Sequence, residues 1–342
     1  MVYFLSDPYF SEHITGEFHP ENPKRLNSIY NKLKSSGIFE NVIKLKSEKI
    51  NYESLKSVHD PLYIEKVEEE CRKGYSLLST GDTNICRSSN DVALHAAGGV
   101  LKTLDNIFNS KINRGFCSVR PPGHHASADI GMGFCIYNNI ALAAEHAKLK
   151  YNVEKIMIID WDVHHGNGTQ AILEDDGDIL YVSTHQFPYY PGTGNYTETG
   201  RGNGETATVN FPLTQGVGDN GFKSIYDNVL IPVLKKFKPQ LILVSAGYDA
   251  HWKDPLAGLS LSLEGYHWIS KALIDIADEI CDGRIIFALE GGYDLDVLKN
   301  GVANTIRALL HQEDFIDPIG KSPHEEPNIK AYIDQIKKIF SA

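Results

Sequence analysis

Short apolar segments, separated by longer helix-like stretches, limit most strongly what this chain can fold into. Most of them lack the alternation of apolar and polar residues that marks a strand with one face in water. Non-alternating apolar strands are typical of a parallel sheet whose two faces are covered by helices. The sequence therefore predicts buried strands at residues 2–5, 115–119, 155–159, 179–183, 241–245 and 285–289.

Apolar residues recur every three to four positions in the intervening stretches, which predicts helices over residues 90–109, 264–280 and 295–310. Alternation of strands and helices indicates an α/β fold with a largely parallel sheet. No low-complexity linker or internal repeat divides the chain, so we expect a single domain over residues 1–342. The longest turn-rich segment, 187–204, is predicted to be a surface loop close to a strand end, where α/β sheets bind ligands.

Net charge and cysteine usage exclude several classes of protein. The formal net charge of −11 argues against direct nucleic-acid binding and is compatible with neutral or cationic substrates. The five cysteines form no CxxC pair, so neither a disulfide framework nor a thiolate zinc site is expected. We expect no signal peptide, since the N-terminus lacks a basic segment followed by an apolar one, and no window is apolar enough to span a membrane. A cytoplasmic protein is the simplest expectation.

Two segments carry potential metal ligands beyond predicted strands. Asp160, Asp162 and His164 are spaced by two, so in an extended chain they project from one side. Charged residues that mark where a strand meets solvent are the alternative interpretation. Asp249 follows a second apolar strand and could instead form a turn or cap a helix. Together, Asp162, His164 and Asp249 provide three ligands with one position left for water, the pattern of a catalytic zinc site.

Two adjacent histidines are candidates for proton transfer. His124 and His125 follow Pro-Pro-Gly, which excludes a helix and fixes an extended loop. Asp160 and Asn167 could each hold one imidazole by its second nitrogen. Two hydrogen-bonded loop histidines without a catalytic role are the alternative.

Aromatic residues next to glycines complete the set of candidates. Tyr293 follows Gly-Gly in LEGGYD and could donate to an oxyanion, although a packed tyrosine after an ordinary turn is the alternative. Phe134, in GMGFC, together with Tyr190 could line a narrow apolar channel, and a core position is the alternative for Phe134.

Six ordered motifs then carry a resemblance that covers nearly the whole chain, starting at HPENPKR (residues 19–25). They are RPPGHHA, GMGFCIYNN, DWDVHHGNGT, PYYPGTG, AGYDAHWKDPLAG and LEGGYD. The sequence resembles zinc-dependent histone deacetylase-like amidohydrolases, a superfamily that includes acetylpolyamine amidohydrolases. The resemblance implies the single-domain arginase–deacetylase fold, an α/β fold with an eight-stranded parallel sheet flanked by helices and a site at the strand ends.

The resemblance also implies roles for individual residues. Asp162, His164 and Asp249 would bind one catalytic Zn²⁺, and His125 would be the general base and acid. His124, paired with Asp160, would assist electrostatically, Tyr293 would stabilise the oxyanion, and Arg25 matches an arginine near an internal acetate-release cavity. Phe134 and Tyr190 would flank the acyl-lysine channel. A structural K⁺ would be held by backbone oxygens of Asp160, Asp162 and His164 with Ser183 and Thr184.

Four positions are informative because relatives differ there, and a fifth, Asp82, because it matches the family. Asn167 stands where many class I relatives carry an aspartate, whereas class II relatives resemble this chain. Tyr293 is retained where some class IIa relatives have a histidine. Leu256 occupies a gate position where the polyamine-preferring eukaryotic relative has a glutamate, and Tyr190 replaces the more usual phenylalanine. Asp82 matches a rim aspartate that holds the substrate backbone, and a loop-capping role for it is equally compatible with the sequence.

The leading hypothesis is metal-assisted hydrolysis of Nε-acetyl-lysine in a protein or peptide. An acetylated polyamine or another small acylamide is the nearest alternative substrate. A dimanganese ureohydrolase and a non-enzymatic acyl-lysine binder are the alternatives from other classes. Iron(II) could replace zinc, because sites of carboxylate and imidazole ligands are not exclusive for zinc.

Overall fold

An eight-stranded sheet forms the centre of the computed structural model, which describes residues 1–340. Every neighbouring pair of strands is parallel, and the spatial order is β2-β1-β3-β8-β7-β4-β5-β6. This architecture confirms the predicted α/β fold with an eight-stranded parallel sheet. The strands are β1 (Val2–Leu5), β2 (Val42–Leu45), β3 (Arg114–Cys117), β4 (Ile156–Asp160), β5 (Ile179–Gln186), β6 (Thr208–Leu213), β7 (Leu241–Ala246) and β8 (Ile285–Leu289).

Helices flank the sheet, and the three that the apolar spacing predicts are present with boundaries within one residue. Short 3₁₀ turns lie at Pro8–Glu12, Ile38–Glu40 and Gly202–Gly204, and a π-helical turn at Tyr226–Leu230 joins α7 to α8. The α-helices are α1 (Lys24–Ser35), α2 (Tyr52–Lys56), α3 (Pro61–Lys73), α4 (Ser89–Phe108), α5 (Asn139–Tyr151), α6 (Asn167–Leu173), α7 (Asp219–Ile225), α8 (Ile231–Phe237), α9 (Leu263–Ile280), α10 (Leu295–Leu309) and α11 (Lys330–Phe340). Within the described residues, no helix is long and apolar enough to cross a membrane.

The core lies against the middle of the sheet. Strands β4, β7 and β8 are buried along their whole length, as expected for strands covered on both faces. Helix α10 packs against α1 and α9, and α4 packs against α5, so that the helices also bury their apolar stripes against one another.

The four strands β3, β8, β7 and β4 lie side by side, and each leads into one of the motifs. Because all strands are parallel, their carboxyl ends meet at one edge of the sheet. Asp160, the last residue of β4, is in register with Ser183 of β5 and Ser245 of β7. The fold therefore brings segments that are far apart in sequence to one place.

Candidate active site

Asp162, His164 and Asp249 form a buried group at the ends of β4 and β7. One ligand atom from each lies within 4.8 Å of the others. His164 Nδ1 is 3.1 Å from Asp162 Oδ1 and 3.4 Å from Asp249 Oδ2. The buried Asp249 Oδ2 has no hydrogen-bond partner. A buried carboxylate oxygen without a partner is costly, so two carboxylates and an imidazole converging here fit a divalent metal ion.

The remaining carboxylate oxygens hold the surrounding backbone. Asp162 Oδ2 accepts a hydrogen bond from the Gly291 N–H at 2.8 Å, and Asp249 Oδ1 accepts one from the Val163 N–H at 2.9 Å. A Cβ atom at Gly291 would lie 2.0 Å from Asp249 Oδ2 and 2.6 Å from Asp162 Oδ2. Glycine is therefore required at position 291, because the loop after β8 passes close to the Asp162 and Asp249 carboxylates.

Asp160 lies beside this group and faces another partner. Its Oδ2 is 3.0 Å from His124 Nδ1 and accepts from the Tyr181 hydroxyl at 3.2 Å, while its Oδ1 accepts from the Asp162 N–H at 3.1 Å. Strand β4 ends at Asp160, so the extended spacing by two does not continue through Asp162 and His164. Asp162 and His164 converge with Asp249, whereas Asp160 orients His124.

The two histidines have the orienting partners that the sequence suggests. His125 Nδ1 is 2.8 Å from Asn167 Oδ1, and the two imidazole centroids are 4.0 Å apart. Since an amide oxygen only accepts, His125 Nδ1 carries the proton and Nε2 keeps its lone pair.

The electrostatics of the two imidazoles differ. Burial alone would lower the pKa of His124, but the carboxylates of Asp160, Asp162 and Glu290 raise it to about 10. Burial, followed by the charges of His124 and His164, lowers the pKa of His125 well below its ordinary value. These opposite shifts favour a cationic His124 beside a neutral His125.

Glu290 is a site residue that the sequence reasoning missed. It is fully buried, and its Oε2 accepts from the backbone N–H groups of Gly123 at 2.7 Å and His124 at 3.2 Å. Its Oε1 accepts from the Ser245 hydroxyl at 3.2 Å. Burial raises the pKa of Glu290 to about 7. An acidic residue at the end of an apolar strand in LEGGYD was the available signal, and its role is to fix the His124 loop.

Arg25 lies under the Tyr293 loop. It is fully buried and donates from Nε to the Gly292 carbonyl at 2.8 Å and from Nη2 to the Glu290 carbonyl at 2.5 Å. Its guanidinium is 5.1 Å from the centroid of the Tyr293 ring, which also meets Phe134 edge to face. Burial raises the pKa of Tyr293 well above its usual value, so the hydroxyl keeps its proton at neutral pH.

A cavity of about 140 Å³ joins these groups, and the four predicted channel residues all line it. Tyr190 donates its hydroxyl to Asp82 Oδ2 at 3.1 Å, and the Gly133 N–H donates to Asp82 Oδ1 at 2.7 Å. The loop-capping role of Asp82 is therefore present, and its carboxylate is the one acidic group of the lining. The lining residues are Asp82, His125, Gly133, Phe134, His164, Tyr190, Leu256 and Tyr293.

Two of the residues expected at a potassium site, Ser183 and Thr184, lie beside Asp160. Strand β5 brings Ser183 and Thr184 beside the end of β4, where the Thr184 hydroxyl donates to the Asp160 carbonyl at 3.4 Å. The Ser183 hydroxyl hydrogen-bonds His185 Nδ1 at 2.8 Å. The Thr184 hydroxyl thus lies next to the Asp160 carbonyl oxygen. That a K⁺ ion binds near these oxygens is a proposal.

A buried Asp–His–Asp group next to a histidine pair, at the strand ends of a parallel sheet, is typical of metal-dependent hydrolases. A family profile described as the histone deacetylase domain matches residues 19–309. Similar proteins include one named "Probable deacetylase" from Archaeoglobus fulgidus, 41% identical over 289 residues, which are 84% of this chain and 80% of that one. Histone deacetylase 14, chloroplastic, from Arabidopsis thaliana is 38% identical over 313 residues, 87% of this chain and 74% of that one.

A comparison with solved structures supports the matches found by sequence. The crystal structure of the HDA15 HD domain superposes with a TM-score of 0.89 at 32% identity, covering 99% of this chain and 94% of that one. The chain belongs to the histone deacetylase family.

Proposed function

We propose that this protein is a zinc-dependent deacetylase that hydrolyses Nε-acetyl-lysine in proteins or peptides. The observation that carries the proposal is the narrow cavity, whose lining includes His164, His125 and Tyr293. Membership of the histone deacetylase family, whose similar members include a protein named as a probable deacetylase, supports the reaction class.

Asp162, His164 and Asp249 would hold the metal ion. Bound zinc would polarise the amide carbonyl and lower the pKa of a water molecule towards about 7. Iron(II) is an alternative ion for the same ligands. A structural K⁺ near Asp160 and Thr184 would further fix the end of β4.

His125 would move the proton. Its Nε2 would accept a proton from the attacking water and then deliver it to the lysine nitrogen as the C–N bond breaks, leaving acetate and a free amine. Asn167 holds the opposite nitrogen of the ring, which keeps Nε2 as the acceptor. His124, paired with Asp160, would assist by its positive charge.

Tyr293 would stabilise the transition state by donating its hydroxyl to the developing oxyanion. The Phe134 and Tyr190 rings, with Leu256, would enclose the aliphatic part of the lysine side chain. Asp82 would accept N–H groups of the peptide backbone at the rim.

The substrate class rests on the mouth of the cavity. Leu256 is apolar, and the lining contains a single carboxylate, that of Asp82. A slender neutral acyl-lysine side chain fits this lining better than a polyamine that carries several charges. Acetylpolyamines and other small acylamides remain the alternative substrates.

A comparison of substrates tests this choice. We expect a higher kcat/KM for acetyl-lysine peptides than for acetylputrescine and acetylspermidine, measured as acetate released under the same conditions. Equal or better turnover of the acetylpolyamines would reverse the order of the two hypotheses.

Two other classes fit less well. A dimanganese ureohydrolase needs a second set of Asp and His ligands, whereas the second group in the described part of the chain is His124, Cys135 and Glu290. In that group, His124 pairs with Asp160 and Glu290 accepts backbone hydrogen bonds. Two manganese ions per chain in a metal analysis would support the ureohydrolase. A non-enzymatic binder would lack a ligand or a proton-transfer group, and this chain has all of them.

A further inference from the structure

We propose that Asp254 is a positioning residue for Tyr293, and that it holds the channel residue Leu256 in register with it. The inference rests on the proposed function, in which the Tyr293 hydroxyl donates to the oxyanion. Asp254 belongs to the loop that follows β7 and does not line the cavity. It acts through the backbone of two residues that do.

Asp254 is 5% exposed, and its carboxylate accepts three backbone hydrogen bonds from two loops. Its Oδ2 accepts from the N–H of Tyr293 at 2.7 Å and from that of Asp294 at 3.3 Å. Its Oδ1 accepts from the N–H of Leu256 at 3.0 Å. One carboxylate therefore connects the loop after β7 to the loop after β8.

The peptide unit before Tyr293 is held from both ends. Asp254 accepts its N–H, while Arg25 Nε donates to its carbonyl, that of Gly292, at 2.8 Å. Gly292 has a φ of +113°, in a Gly-Gly loop that has little stiffness of its own. Because this peptide unit sets the direction of the Tyr293 Cα–Cβ bond, these two hydrogen bonds replace the rigidity that the glycines lack.

Leu256 is held in the same way at its two backbone groups. Asp254 accepts its N–H, and the Tyr189 hydroxyl donates to its carbonyl at 2.8 Å. The Asp254 carboxylate thus holds both Leu256, at the gate position, and Tyr293, the proposed oxyanion donor. A preorganised donor is effective because it needs no rearrangement during the reaction, and small displacements of such groups are costly in rate.

The variant Asp254→Asn tests the inference. An amide of the same size keeps one acceptor oxygen, but its NH₂ group cannot accept, so Leu256 or Tyr293 loses the acceptor of its N–H. We expect kcat on an acetyl-lysine peptide to fall by about 10- to 100-fold, with a smaller change in KM. In a Tyr293→Phe background, the same substitution should change kcat by no more than about twofold, because the hydroxyl that it positions is absent.

Asp219→Asn is the matched control. The Asp219 carboxylate also joins two elements, accepting from the Ser262 N–H at 2.8 Å and the Ser262 hydroxyl at 2.7 Å, and it lies outside the cavity lining. Its replacement should lower thermal stability and leave kcat within about twofold in both backgrounds. If Asp254→Asn does not fold, Asp254→Glu tests the same coupling, because it keeps the charge and displaces the oxygens.

A loss of kcat that is equal in both backgrounds, or no loss, would overturn the inference. Hydrogen exchange separates this result from a failure of the proposed function. The segments that contain the Tyr293 and Leu256 amides should exchange faster in Asp254→Asn than in wild type, and unchanged exchange would overturn the inference even without turnover. A wild-type protein that hydrolyses no acetyl-lysine peptide, with the expected change in exchange, would instead contradict the proposed function alone.

Discussion

At the scale of single residues, the Glu21 carboxylate pairs with the side chains of Arg25 and Arg120. It is fully buried, and it accepts hydrogen bonds from the Arg120 guanidinium and from Arg25 Nη1, the latter at 3.2 Å. Burial would raise its pKa, but Arg120 and then Arg25 lower it to about 2. The motif HPENPKR indicated Arg25 alone, because Arg120 is 99 residues away from Glu21 along the chain. Ion pairs between distant segments leave no local pattern.

Cys86 has an environment unlike that of the other cysteines, which predicts selective reactivity. Burial raises the pKa of its thiol, but hydrogen bonds with His13, Ser88, Ser89 and the Ile14 N–H outweigh burial and lower it to about 5. At pH 7 we expect iodoacetamide to alkylate Cys86 first, at a rate that falls as the pH is lowered through about 5, because the thiolate is the nucleophile. Peptide mass spectrometry of the folded protein measures this. Burial raises the pKa of the remaining thiols, Cys71, Cys117, Cys135 and Cys281.

Cys86→Ser is the control for that experiment. In the folded variant the other four thiols should stay unmodified at pH 7. Alkylation of Cys86 with a midpoint near the ordinary thiol pKa of 9.0 would contradict the account.

At the scale of elements, the apolar pattern predicts the six interior strands and misses both edges. β2 and β6 are the outermost strands of the sheet. β2 has partly exposed positions and an exposed Lys44, and β6 contains Asn210 and Pro212. Edge strands tolerate proline and polar residues because one side of their backbone has no partner. Their sequences therefore lack the continuous apolar run that marks an interior strand.

The location of the site was predictable for a related reason. Ligand, imidazole and tyrosine motifs each followed an apolar run, and parallel strands place those positions at one edge. The hydrogen bonds that the Glu290 and Asp254 carboxylates accept from backbone N–H groups were not predictable. They depend on which N–H groups the folded loops turn inwards.

Packing of α4 against the segment that precedes α2 gives a prediction for the stability of the fold. A Cβ atom at Gly98 would lie 2.0 Å from the Glu48 carbonyl oxygen and 2.5 Å from the Ile50 nitrogen, which are both backbone atoms. Gly98→Ala should therefore lower the free energy of unfolding by roughly 1–3 kcal/mol, although alanine normally favours a helix. Urea unfolding measures the change.

Gly99→Ala is the matched substitution one position along the same helix. Its Cβ would meet the end of the Leu5 side chain, at 2.5 Å from Cδ2, and a side chain can shift more easily than backbone. We expect a smaller loss than for Gly98→Ala. The reverse order, or a more stable Gly98→Ala protein, would contradict this description of the packing.

At the scale of the whole molecule, the family resemblance predicted the number of strands in the sheet, which local sequence patterns did not. Periodicity indicated a parallel sheet, whereas the count of eight strands followed from the resemblance and is confirmed. That residues 1–342 form one domain, and that the protein is cytoplasmic, stay predictions. Part of the acidic excess behind the net charge of −11 is buried at the site, where Asp160, Asp162 and Asp249 contact imidazoles. Net charge alone gave no indication of this.

The most direct test of the central claim is acetate release from an Nε-acetyl-lysine peptide, with the metal content of each sample measured in parallel. We expect turnover by wild-type protein carrying about one zinc ion per chain, and none after chelation until zinc or iron(II) is restored. His125→Ala should retain the zinc and lose turnover, because in the proposed mechanism its ring transfers the proton, and it does not belong to the Asp162, His164 and Asp249 group. Turnover by the metal-free protein, or near-wild-type rates in His125→Ala, would contradict the account.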